Sequence, residues 1–141
     1  MIENILNGMI KKLRETFPDH PVYTDAVEQG VQMPCFFIAH VTGAREQIIN
    51  NRYQDRHVFC VHYLPDNPDN SESKARVIER LYDGLEFISL PDGDIQGKDL
   101  HAEPVGEMIH FYATYAVQIM YIKNQVKPMD SIASHIGGQY G

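Results

Sequence analysis

The stretch Leu100-His101-Ala102-Glu103-Pro104-Val105-Gly106-Glu107-Met108-Ile109-His110-Phe111-Tyr112-Ala113-Thr114-Tyr115-Ala116-Val117-Gln118-Ile119-Met120-Tyr121-Ile122 decides the fold. Its second half has period two. Phe111, Ala113, Tyr115, Val117, Ile119 and Tyr121 fall on one side, and His110, Tyr112, Thr114, Ala116, Gln118 and Met120 on the other. Successive side chains of a strand point to opposite faces, so Met108–Ile122 is predicted as a strand with one apolar and one amphipathic face. Gly106-Glu107 has the Gly-X form of a two-residue type II′ turn, which pairs this strand with Leu100–Val105. Fifteen residues at about 3.3 Å each span roughly 50 Å, against a usual strand of five or six residues. Such a strand is either bulged and bent within the domain or paired in part with another chain.

Upstream, Pro91-Asp92-Gly93-Asp94 turns the chain, and Ser71–Phe87 before it has helical spacing, with Ala75, Ile78, Leu81, Tyr82 and Leu85 as the expected buried stripe. Asn70 or Ser71 can cap that helix, and Pro65–Asn70 is a strong turn signal. Arg52–Leu64 and Cys35–Thr42 are expected strands, joined by a polar excursion, Thr42–Asn51. A short extended piece, Val22–Thr24, precedes them. At the start, Ile2, Ile5, Leu6, Met9, Ile10, Leu13 and Phe17 make an amphipathic helix that Pro18 ends. Gly8 costs this helix about 1 kcal/mol against Ala. Strand runs separated by helices give an α+β domain: a mixed, mainly antiparallel sheet of about four to six strands with two helices packed on one face. The expected domain is 1–122, and 123–141 is a C-terminal tail, flexible alone or ordered on assembly.

The chain has 141 residues, enough for one domain with its own core. A net charge of −7 and the absence of a basic run argue against gripping a phosphate backbone. Two cysteines, Cys35 and Cys60, are too few for a disulfide scaffold. Glu3, Lys11 and Lys12 interrupt any signal-peptide core, and the apolar run Met108–Ile122 falls short of the roughly 20 residues a spanning helix needs. A soluble protein of the cytoplasm, without a membrane partner, is the expectation.

Chemistry-bearing motifs are few. Asp92, Asp94, Gln96, Gly97 and Glu103 have the oxygen spacing of a calcium loop, but Pro104 stands where the exiting helix should begin. An acidic turn leading into a hairpin is the favoured reading. His57 and His62 are five apart on a strand and point to opposite faces, while His20, His40, His101, His110 and His135 are scattered. Cys35 and Cys60 read as small buried hydrophobes. No nucleophile elbow, phosphate-cradling loop or dinucleotide fingerprint occurs. We therefore expect no catalytic residues, no metal and no cofactor.

A succession of segments carries a resemblance. Phe17-Pro18-Asp19-His20-Pro21-Val22-Tyr23-Thr24-Asp25-Ala26-Val27-Glu28-Gln29-Gly30, Pro34-Cys35-Phe36-Phe37-Ile38, Asn51-Arg52-Tyr53, His62-Tyr63-Leu64-Pro65, Leu81-Tyr82-Asp83-Gly84-Leu85-Glu86 and Met108-Ile109-His110-Phe111-Tyr112 resemble, in order, the small phage tail terminator proteins. The likeness covers roughly Ile2–Ile122, and its weight lies in the succession rather than in any one motif. It implies a structural virion protein of tail and neck, assembled in the host cytoplasm. Such proteins form a ring, commonly of six copies, that ends growth of the tail tube, and of the sheath in contractile tails, and presents a surface for the neck of the head. Related rings occur in phage-tail-like particles. Its partners would be other copies of itself, the tube protein, and sheath and neck proteins, with DNA passing through the lumen unbound. Another head–tail connector, or a monomeric metal- or ligand-binding module, are the alternatives.

A closed ring needs two unlike contact surfaces on each subunit. Arg45, Glu46, Ile48, Ile49, Arg52, Tyr53 and Arg56 of the projecting segment Thr42–Arg56, and Ile132 and Ile136 of the tail, are the interface candidates, unless the isoleucines of a long hairpin there fold back on the domain. Glu28, Asp92, Asp94 and Glu103 are the candidates for the lumen, because like charge keeps a polyanion from sticking.

Overall fold

The computed structural model describes residues 1–24, 31–122 and 125–128. In chain order it holds α1 (Ile2–Thr16), β1 (Val22–Tyr23), β2 (Cys35–Ile49), β3 (Arg52–Leu64), α2 (Ser71–Leu85), β4 (Phe87–Leu90), β5 (Gly93–Val105), β6 (Met108–Ile122) and β7 (Gln125–Pro128). Six strands lie on the path β1-β2-β3-β6-β5-β4, and β7 pairs with β6. β1 runs parallel to β2 and every other pairing is antiparallel. Two helices and a mixed sheet make this an α+β fold, as the element pattern predicts.

The long strand is satisfied within the chain. Ile109–Met120 pairs with Tyr63–Arg52 of β3 without a break in register. On its other edge β5 accompanies Met108–Tyr115, and β7 takes up Ile119–Ile122. β6 is central and spends its length on three neighbours, so another chain is not needed to explain it. Gly106 has φ +60°, the positive value that the first central position of a type II′ turn demands, and Val105 pairs with Met108 across it.

Side chains from both helices join one core with the apolar row of the sheet. Ile5, Met9, Leu13 and Phe17 meet Val77, Leu81 and Leu85, and both sets pack with Phe59, Val61, Tyr63, Phe111, Ala113 and Tyr115. Tyr115, wholly buried, donates its hydroxyl to the Leu85 carbonyl at 2.6 Å, which satisfies a group that the end of α2 would leave orphaned. Asn70 caps α2 by accepting from Ser73 N at 3.0 Å.

Four readings of the sequence need correction. The stripe of α2 is Val77, Leu81, Gly84 and Leu85, whereas Ala75 is exposed and Tyr82 is 38% exposed. The i, i+4, i+7, i+8 set brings Gly84 against Thr16, so the helix rotates toward its neighbour. Thr42–Asn51 is strand rather than loop: β2 runs on to Ile49, and only Asn50 and Asn51 make the turn. The strand before β6 starts at Gly93, not Leu100, because Phe87–Leu90 pairs with Gln96–Gly93 as well. Finally, the sheet continues past Ile122, where Gln125–Pro128 forms β7.

Candidate functional site: arm, acidic strand and thiol–imidazole cluster

Beyond Val41, β2 and β3 extend as a hairpin arm. The ladder slips between His40 and Thr42, so Val41 is an extra residue, a bulge of the kind that bends a strand. The arm then pairs Gly43 with His57, Arg45 with Asp55, Glu46 with Gln54 and Gln47 with Tyr53.

Arg45 organises one face of this arm. Its Nε and Nη2 donate to the two carboxylate oxygens of Asp55 at 2.6 and 2.8 Å, and its Nη1 donates to the Tyr121 hydroxyl. The guanidinium carbon lies 5.1 Å from the Tyr121 ring centre and 5.6 Å from that of Tyr53. Asp55 is only 6% exposed, a buried charge that persists because this two-pronged pair compensates it. The hydrogen bond to Asp55 holds the guanidinium still more firmly charged than usual. Of the interface candidates, Arg45 and Tyr53 are thus also internal struts of the arm. Glu46, Ile48, Ile49, Arg52 and Arg56 are exposed, with the two isoleucines about half accessible at the tip. Ile132 and Ile136 lie outside the described residues.

Below the struts, His40 and His57 share a hydrogen bond of 3.1 Å beside Gly43. Burial, and then the neighbouring His40, hold the His57 imidazole below its ordinary pKa of 6.5. With Met1, Ile2, Glu3, Ala44, Arg45 and Asp55 these residues line a cleft between the start of α1 and the base of the arm.

The acidic candidates do not converge. Asp92 sits in the two-residue β4–β5 turn and Asp94 just after it, where it accepts from Ser89 Oγ at 3.0 Å. Glu103 is nine residues further along β5, roughly 30 Å at strand rise. All three are exposed, but no single cation can reach both ends, which disposes of the calcium-loop spacing. Glu28 lies outside the described residues.

One grouping was not legible beforehand. Cys60 and His62 are two apart on β3 and share a face, and His62 pairs directly with His110 of β6. Their three donor atoms lie within 4.8 Å of one another. The two imidazole rings are 4.2 Å apart. The opposite-face reading of His57 and His62 stands; the spacing of two, joined to a cross-strand partner, was the usable signal.

The segment order noted above, now placed on a fold with this arm, matches a known family over residues 4–128, nearly the whole chain: phage tail terminator protein. The chain belongs to that family. It is a family of tail structural proteins rather than of enzymes, so the location implied is the virion tail. The match runs six residues beyond Ile122, through the end of β7. No curated protein matches the sequence. Among the described residues no helix is long and apolar enough to cross a membrane.

Proposed function

We propose that the chain closes into a ring, of six copies, at the head-proximal end of a phage tail. There it ends polymerisation of the tail tube, and of a sheath where the tail contracts, and offers the surface to which head and neck proteins join. The observation that carries this reading is the family match across residues 4–128. The geometry supports it. Side chains of both helices share one core with Phe59, Val61 and Tyr63, and the arm extends beyond that core, where it is open to neighbours. The exposed Ile48 and Ile49, with Arg52 and Arg56, form one half of a head-to-tail contact between subunits. Ile132, Ile136 and the rest of 129–141 act in assembly rather than in folding.

Asp92, Asp94 and Glu103, with Glu28, line the lumen in this reading, and a net charge of −7 lets DNA slide without sticking. Nothing in the role calls for a catalytic residue or a cofactor. Assembly takes place in the host cytoplasm.

Mass measurement of the purified chain, alone and with tail tube subunits, tests the ring. A closed multimer, formed alone or on the tube, is expected. A monomer at every concentration, in both conditions, contradicts it.

A further inference from the structure

We propose that Cys60 Sγ and one ring nitrogen each of His62 and His110 form a binding site for a single zinc-class divalent ion, which clips β3 to β6. The donor set fits such an ion: one thiolate and two imidazoles satisfy the borderline-soft preference of zinc. The backbone supplies the arrangement. Cys60 and His62 project from one face of β3, and the unbroken register places His110 directly across from His62. Donors within 4.8 Å of one another need only small side-chain rotations, since a tetrahedral zinc site sets such atoms roughly 3.5 Å apart. Three protein donors leave a fourth position for a water.

The surroundings favour an ion over a free thiol. Cys60 is 2% exposed and His62 and His110 half-buried, so the ion would be shielded on the strand side and open toward solvent. The thiolate is the ligand, so the ion displaces the proton of the Cys60 thiol on binding. One proton is then released per ion.

Cobalt(II) titration of the full-length, chelator-stripped chain tests the site, because a cobalt–thiolate bond gives a charge-transfer band that nitrogen and oxygen ligands do not. The expected result is one ion per chain, ligand-field bands of a four-coordinate ion and that charge-transfer band, all displaced by zinc. Cys60→Ser removes the band, His110→Asn weakens binding at least tenfold, and Cys35→Ser keeps both. Each variant is first melted without metal to confirm that it folds, and zinc raises the melting temperature of the unaltered chain alone among Cys60→Ser, His110→Asn and itself. A wild-type spectrum without the thiolate band overturns the proposal whatever the variants do. So does a band that survives Cys60→Ser.

Discussion

A methyl group added at Gly8 sets two effects in opposition. On an isolated helix, Gly→Ala gains about 1 kcal/mol. Here the new Cβ would lie 2.7 Å from the Ser89 carbonyl oxygen, a backbone atom of β4 that cannot swing aside, and overpacking of that kind costs typically 1–3 kcal/mol. We expect Gly8→Ala to lower unfolding stability by about 1 kcal/mol net in a urea titration; a gain would mean that α1 is free to slide off β4. Histidines set the second expectation at this scale. His20, His57 and His62 all have pKa values lowered by burial from 6.5. Each contributes stability that is full above about 6.5 and is lost as pH falls toward its folded value, because the unfolded chain then binds the proton more readily. With chelator present, the melting temperature should fall between about pH 7.5 and pH 5.5, and fall less in His57→Gln. A flat profile would contradict the buried, neutral imidazoles. Periodicity exposes neither feature: Gly8 is read as a helix cost until β4 is known, and Cys60 and His62 are unremarkable until His110 arrives from another strand.

At the scale of elements, regular segments were legible and interrupted ones were not. β6 was visible because its alternation is unbroken for fifteen residues and one face is wholly apolar. The arm was hidden for two physical reasons. Val41 shifts the alternation by one residue, and beyond it charged groups occupy both faces, with Arg45 matched to Asp55 only through cross-strand register. A strand whose stability comes from a neighbouring strand's carboxylate carries no hydrophobic period of its own. Because Ile48, Ile49, Arg52 and Arg56 project from this arm into solvent, substitutions there should separate folding from assembly. Ile48→Ser with Ile49→Ser, or reversal of Arg52 and Arg56 to Glu, should change stability by no more than about 0.5 kcal/mol per site. Ring formation and tail capping should weaken in both. Tails of normal length assembled with either double variant would show that the arm is not an interface.

For the whole molecule, composition gave one acidic domain without enzyme motifs, and the structure supplies what composition lacks: a core closed by two helices and a sheet whose arm reaches beyond that core. Asp94 and Glu103 lie nine residues apart on β5 and Asp92 in the turn before it, a spread of surface charge rather than a point-like cation site. In a ring of the proposed kind the number of copies is set by how two surfaces of neighbouring subunits match, a property of no single segment. In the proposed role the protein sets where a growing tail stops. Electron microscopy of particles assembled without this chain measures that most directly, through the distribution of tail lengths. Tails of uncontrolled, broadly distributed length that fail to join heads are the predicted result; tails of uniform, normal length in its absence would contradict the account.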